Sequence, residues 1–473
     1  MSGFGNVMNC PIVRTSHDSV TFCTPEAFRS IYDTKANVQK ARQYGIWPKE
    51  LASPNTFSVI DKEKHARKRR VMTAAISESA VRTSEPFVFQ HADRWGELLV
   101  GDRKNEWSEP RNMSEWSDSL VFDIICDLCF GRSFDTKTPG PNKLRSIPHD
   151  ILQFLIFAYN VIYSPFADIW LWMKPKGLDK LMLSQMPSSI KQYLEFVDAS
   201  VRQRVEEENA HDENGTEPTR KDMLHYLIHA RDPETGASGY DFVELREETD
   251  LLIVAGFDTT AAVLAALFFY LVQNPHVLEK VQHEVRSAFK HSEEVRSGAQ
   301  LAACTYLRAA IDETMRMNPP SASDMLREVL PGGLRIAGTN EIIPPGINVG
   351  TPLYALHHDA EIFPEPFRFR PERWIADKNN VESIESVQRA EAALFPFLMG
   401  IRGCPGKSLA KMEMLVISSR LLFSYDLRGE PGDVMGAGRR NLIWGRRNKS
   451  QFQTKDAMVP LRDGPMVQFR PRA

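Results

Sequence analysis

The chain has 473 residues, 42% hydrophobic and 25% charged, and its 58 basic and 61 acidic side chains leave a net charge of −3. That balance suits a globular protein with a large core and gives no electrostatic reason to expect nucleic acid. The six cysteines, Cys10, Cys23, Cys126, Cys129, Cys304 and Cys404, are too sparse and irregular for a disulfide framework and point to a reducing compartment.

No basic segment followed by an apolar run opens the chain, so neither a signal nor a transit peptide is expected. Alternation of polar and apolar residues over Pro11–Thr15 and Ser19–Cys23 predicts two strands. Thr24 then reads as the cap of a helix with Pro25 at its first position. Helical spacing follows over Leu51–Val100, Met113–Cys129 and Pro148–Leu171. Glu206–Lys221 is acidic and carries Gly215 and Pro218, so it reads as an exposed loop, with helices resuming at Asp222. Further helices are predicted over Leu245–Phe289 and Leu301–Met317. Beyond Pro319 and Pro320, glycines and prolines punctuate short β-branched runs, which predicts hairpins. A last helix is predicted over Pro405–Phe423, with Leu409, Met412, Val416 and Phe423 at helical spacing, and a last hairpin over Met458–Phe469. The sum is mainly α with a minor antiparallel β-sheet drawn from both ends of the chain, expected as a single domain over 1–473.

Leu251–Val272 is apolar enough and long enough to span a bilayer. Asp258, Thr259 and Thr260 stand near its middle, however. An acid there costs roughly 2.5–3.5 kcal/mol on insertion. A buried core helix is the expectation.

Several groupings carry chemistry. Phe397, Gly400, Arg402, Cys404 and Gly406 form one run. Its cysteine stands immediately before a predicted helix that starts at Pro405, where the partial positive charge of a helix N-terminus favours thiolate. Gly400, Gly403 and Gly406 would let the backbone close round the sulfur and approach a flat ligand. Gly406, Lys407 and Ser408 also look like the end of a phosphate-binding loop, but Ile401 stands where that loop needs glycine. In the apolar helix, Ala255 and Gly256 would admit a ligand close to the backbone. Asp258 and Thr259 follow them as an acid–alcohol pair that is costly to bury unless hydrogen-bonded. Glu313 and Arg316 are spaced to meet on one helix face. The run His65–Arg70 reads, taken alone, as a solvated face. Cys126 and Cys129 have no second pair to complete a zinc site and read as core packing; His357, His358 and Asp359 look like a metal patch, but adjacent residues point to different sides.

The run through Cys404 resembles the haem-binding loop of cytochromes P-450, FxxGxRxCxG, at every specified position. Ala255–Thr259 resembles that family's A-G-x-D/E-T element. Glu313–Arg316 and Pro371–Trp374 resemble its ExxR and PERF/PERW elements, in the family's order and over nearly the whole chain. The resemblance implies a haem b between the oxygen-binding helix and the Cys-loop helix, with Cys404 as axial ligand to its iron. It places Phe397, Arg402 and Gly406 around the haem, and His65, Arg69 and Arg327 with Arg402 at the haem carboxylates, a task suited to the planar guanidinium. It gives Thr259 a hydrogen bond, and Asp258 a proton relay, in the activation of O2. It makes Glu313, Arg316 and Arg373 a buried, structural ion network. Trp374 stands where the family often has Phe, and the exchange reads as neutral.

The implied activity is oxidation of an apolar small molecule, by hydroxylation or by coupling or desaturation. Electrons would come from a separate NADPH–cytochrome P-450 reductase, since no flavin or nicotinamide fingerprint is present, and it would dock near Lys407 and Lys411. Pocket candidates are Tyr44–Ile60, Ile253–Thr259 and Ser321–Met325, with Phe57, Phe257 and Met325 supplying apolar surface. Finer text such as Thr305–Glu313 and Arg327–Gly333 resembles filamentous-fungal members that tailor secondary metabolites. The chain starts close to its first strand, without the membrane helix common in eukaryotic members. Peripheral membrane contact at most is therefore expected, in the cytoplasm or on the cytoplasmic face of the endoplasmic reticulum. A haem-based sensor is the second reading; it has no use for a proton-delivering Asp258–Thr259 pair.

Overall fold

The computed structural model describes residues 12–48, 53–102, 106–216, 220–339 and 342–472. Its contacts resolve two compact units. The first comprises Met1–Val38, Val88–Leu120 and Thr259–Ala473; the second comprises Gln39–Phe87 and Val121–Asp258.

In the first unit, Ile12–Ser16 and Ser19–Phe22 form the expected hairpin; Pro11 lies outside the described residues. Ser19–Phe22 joins Asn348–Gly350 in parallel, and Arg327–Val329 adds to that strand antiparallel. Helix Pro25–Tyr32 starts where its cap predicts, the Thr24 hydroxyl accepting from the Ala27 N–H at 3.2 Å. Its Phe28, Ile31 and Tyr32 share one core cluster with Phe22, Val329, Val349 and Leu353. The tail departs from the expected hairpin over Met458–Phe469. Only Lys455–Asp456 and Pro460–Leu461 pair with each other, while Met466–Pro471 pairs with Tyr425–Gly429 and Arg111–Asn112. The reason is burial with a period of two: Val467 and Phe469 turn inward, and Phe469 sits opposite the buried Leu427.

Two of the predicted helical stretches break where a proline removes a backbone donor. Leu245–Phe289 is two helices, Phe242–Gln273 and Pro275–Ala288, because Pro275 lacks an N–H and so begins the second. Likewise Pro148–Leu171 divides at Pro165 into Ile147–Ile162 and Ala167–Met173; Thr305–Met317 stands apart from the short helix Ala299–Ala302 with no proline between them. Among the described residues of 51–100, helix begins at Lys62 and divides into Lys62–Met72 and Glu78–Val100. In the first unit, Pro275–Ala288, Thr305–Met317 and Lys407–Ser424 pack against one another.

In the second unit, the acidic run Glu206–Lys221, read as a loop, is helical as far as Asn214. Ser188–Asn214 continues to Gly215, which caps it at φ +65°. Its acids are satisfied where they stand: Arg204 pairs with Glu207 at 2.8 Å and with Glu208 at 2.6 Å, one turn along. Residues 217–219 lie outside the described residues. Nor is the basic run a solvated face. Arg67 pairs with Glu244 at 2.8 Å, Lys68 with Glu244 at 2.9 Å and Glu248 at 3.3 Å, and Arg70 with Asp232 at 3.3 Å. The pairs of Arg67 and Lys68 fasten helix Lys62–Met72 to the start of the long helix, and that of Arg70 fastens it to the turn before. Burial pushes the Glu248 carboxyl up to about 7 against the opposing pull of Lys68. Among the described residues only Phe242–Gln273 is by itself long and apolar enough to cross a membrane, and 67% of its most apolar window is buried inside the protein, as a core helix requires.

Candidate functional site

The loop that carries Cys404 is held by its own backbone. The Cys404 N–H donates to the Phe397 carbonyl at 2.8 Å, and the Gly403 N–H to Gly400 at 3.0 Å. Gly400 has φ +67°, and a Cβ there would stand 2.2 Å from the Tyr32 carbonyl oxygen. Only glycine fits, because the loop rests on the end of helix Pro25–Tyr32. Gly406 has another role: a Cβ there would lie 4.0 Å from the Cys404 sulfur, so its absence leaves that flank of the thiol open. The thiol itself is exposed. The following helix begins at Lys407 with Gly406 as its cap, so Pro405 lies in the intervening turn and not at the first helical position. Phe397 has the Lys411 ammonium 6.0 Å from its ring centroid; Lys407 and Lys411 are exposed, and Arg402 is half-buried.

On the long helix Asp258 is fully buried, Thr259 is half-buried and Ala255 is exposed. Ala255 and Thr259, four residues apart, share a face, and an exposed alanine within a core helix marks that face as open. The neighbouring small residue serves packing instead: a Cβ on Gly256 would meet Ile125 at 2.9 Å. Phe257 is likewise core, edge-on to Phe122 at 5.8 Å, and leaves the set of pocket residues. Phe57 is half-buried, with Tyr44 and Trp47 at 5.5 and 6.1 Å; Met325 is half-buried against the sheet core.

Glu413 is an acid that the sequence reading passed over. It is fully buried and accepts from the Thr260 hydroxyl at 3.2 Å, and burial pushes its carboxyl up to about 8. Its position one helical turn from both Leu409 and Val416 places it on the apolar face already recognised in that helix, which was the available signal.

Glu313, Arg316 and Arg373 come together as expected. Arg316 grips Glu313 with two N–H groups at 2.8 and 2.9 Å and gives a third to the His357 carbonyl at 2.8 Å. Arg373 reaches Glu313 at 3.4 Å and the Pro364 carbonyl at 2.9 Å. The backbone N–H of Arg370 adds a contact to Glu313 at 3.1 Å. Trp374 is not neutral here, because its indole N–H donates to Glu313 at 3.0 Å. Phe363 lies beneath both guanidinium groups at 5.3 and 5.9 Å.

Arg327 is buried. It donates to the Met325 and Leu326 carbonyls at 2.8 and 3.0 Å and makes no ion pair among the described residues. His65 is buried and Arg69 half-buried, four residues apart on one helix in the second unit. Cys126 and Cys129 are buried thiols whose pKa burial raises. His357 is neutral core: burial, then the Arg316 charge, pushes it down to about 3, and its Nε2 accepts the Phe395 N–H at 3.2 Å.

The model of the cytochrome P450 family matches residues 4–437. The chain belongs to the cytochrome P450 family. Its relatives include the cytochrome P450 monooxygenase poxM of Penicillium oxalicum, 33% identical over 98% of this chain and 82% of that protein. The cytochrome P450 monooxygenase apf7 of Gibberella fujikuroi is 34% identical over 97% and 86%. A cytochrome P450 monooxygenase of Gibberella zeae is 33% identical over 93% and 97%. Among solved structures, the crystal structure of the cytochrome P450 CYP102L1 superposes with a TM-score of 0.74, covering 98% of this chain and 96% of that one at 19% identity, and shares the fold. Haem–thiolate monooxygenase chemistry on a small molecule, with dioxygen and a redox partner, follows from this membership. The residues present fit the cofactor. A buried guanidinium without a counter-charge is costly, and Arg327 is such a group, which a carboxylate-bearing ligand would relieve. The exposed thiol beside a bare Gly406 supplies the metal donor.

Proposed function

We propose that this cytochrome P450 holds haem b through Cys404 and oxidises an apolar small molecule of secondary metabolism, with electrons from an NADPH–cytochrome P450 reductase. The observation that carries this reading is the exposed Cys404 thiol, held by the Phe397 carbonyl in a loop that Gly400 seats and Gly406 leaves open. When bound, the haem supplies reductive activation of dioxygen, favoured by the electron push of a thiolate ligand. Arg327 and Arg402 neutralise the haem carboxylates. Phe397 covers the sulfur side and restricts water there. Thr259 presents its hydroxyl on the open face of the long helix, and Asp258, one residue earlier, passes protons towards it through water. Glu313, Arg316 and Arg373 hold the segment that leads into the cysteine loop. Lys407 and Lys411, both exposed, offer positive charge to an acidic reductase surface.

The protein also presents apolar side chains to solvent in the second unit: Phe166 is 65% exposed, Ile169 54% and Trp172 63%. They support peripheral contact with the cytoplasmic face of the endoplasmic reticulum.

Reduced protein under carbon monoxide should show the strongly red-shifted Soret band of thiolate ligation, and Cys404→Ser should lose it. Retention of that band in the variant would overturn the ligand assignment. Screening apolar metabolites for a spin-state shift of the ferric spectrum would then identify the substrate.

A further inference from the structure

Glu208, His225 and His229 are the group of metal-ligating side chains, among the described residues, whose donor atoms all lie within 4.8 Å of one another. All three belong to the second unit, and none takes part in the haem chemistry. Glu208 lies near the end of helix Ser188–Asn214; His225 and His229 stand one turn apart on the short helix Met223–His229 and face the same way. Glu208 Oε2 is met by His225 Nδ1 at 2.9 Å and by His229 Nε2 at 3.0 Å. Its other oxygen accepts from Arg204 Nη2 at 2.6 Å, which fixes the carboxylate plane.

The surroundings favour a cation. Arg204 faces three carboxylates, those of Glu207, Glu208 and Asp222, and Asp212 lies 4.0 Å from His229 Nδ1. Access is graded as an ion site requires: Glu208 is buried, while the His229 side chain is 36% exposed.

We propose that Glu208, His225 and His229 form a binding site for a divalent transition-metal ion of the zinc type, which ties the end of helix Ser188–Asn214 to helix Met223–His229. Two imidazole nitrogens and one carboxylate oxygen are a donor set that zinc takes, with a further position left for water. Zinc bonds of about 2.0–2.1 Å in tetrahedral array hold donors roughly 3.3 Å apart. The two contacts to Oε2 thus need to open by only a few tenths of an ångström as the ion replaces the bridging protons. Arg204 behind Glu208 and Asp212 beside His229 are the outer groups that orient such ligands.

The test uses haem-loaded protein, freed of metal with a chelator and titrated with zinc chloride by calorimetry. One equivalent should bind saturably. His225→Ala and His229→Ala should each weaken binding by more than the ~10–100-fold that loss of an outer-sphere partner costs. Substitution of His17, which is exposed and remote in sequence, should leave it unchanged. His229→Gln, conservative at a partly exposed position, guards against misfolding as an explanation: its Soret spectrum should match the parent, while zinc raises the unfolding temperature of the parent alone. Absence of saturable binding would overturn the proposal, as would equal affinity in all variants or an equal thermal shift in His229→Gln.

Discussion

Asp258 and Thr259 are adjacent on the long helix, yet one is sealed in the interior and the other stands on the open face with Ala255. That division suits a relay, with a reservoir behind and a donor in front. Thr259→Ala should bind haem and substrate normally but release more peroxide per electron consumed, while Asp258→Asn should slow turnover more than it lowers coupling. Product yield per NADPH, measured beside peroxide, decides; an unchanged yield in Thr259→Ala would show that protons arrive elsewhere. Glu413 makes a separate prediction. Its carboxyl titrates at about 8 in the fold against an ordinary 4.5. Between those values the unfolded chain ionises this group while the folded protein keeps it neutral. Its contribution is therefore whole below pH 4.5 and is lost as pH rises towards 8. Glu413→Gln should match the parent near pH 5 and exceed its stability by on the order of 5 kcal/mol above pH 8, read from denaturant midpoints across that range. The chemistry-bearing residues were legible because each belongs to a short run with fixed spacing. Glu413 belongs to no such run and was passed over, although its place on one face with Leu409 and Val416 marked it as buried.

At the scale of elements, the segment leading into the cysteine loop is organised round one carboxylate. Glu313 receives Arg316, Arg373, the Arg370 backbone and the Trp374 indole. Removing it strands two buried guanidinium groups, at roughly 3–5 kcal/mol, a large share of a typical stability of about 5–15 kcal/mol. Glu313→Ala and Arg316→Ala should accumulate little haem-loaded protein. Trp374→Phe should keep the haem but lose about 2 kcal/mol, the usual worth of a hydrogen bond to a charged acceptor; urea denaturation measures it. The sequence showed the charged partners but took the tryptophan as a ring only, because its hydrogen bond depends on a fold that places position 374 beside position 313. The same kind of distance misled the reading of Glu206–Asn214. Its composition suggests a loop, and partners as far along as His225 and His229 make it a helix.

For the whole molecule, elements and their order were readable from periodicity, while strand partners were not. Nothing local to Met466–Pro471 names Tyr425–Gly429 as its neighbour, and nothing local to Ser19–Phe22 names Asn348–Gly350. The exposed aromatic residues add a prediction at this scale. Haem-loaded protein should co-sediment with phospholipid vesicles in high salt, and replacing Phe166 and Trp172 by Ser should release it without altering the carbon monoxide spectrum. Equal sedimentation of parent and variant would remove those side chains from any membrane role. The seat of the cysteine loop reaches further. Gly400 rests on the Tyr32 carbonyl, and Arg29 donates to the Ala392 carbonyl across 363 residues. The loop and its support are thus joined across most of the described chain. A nascent chain folds from its N-terminus, and contacts of such long range close late. The cysteine loop therefore reaches its seat only after the chain between them is made, and helix Pro25–Tyr32 keeps that part of its surface uncovered until then.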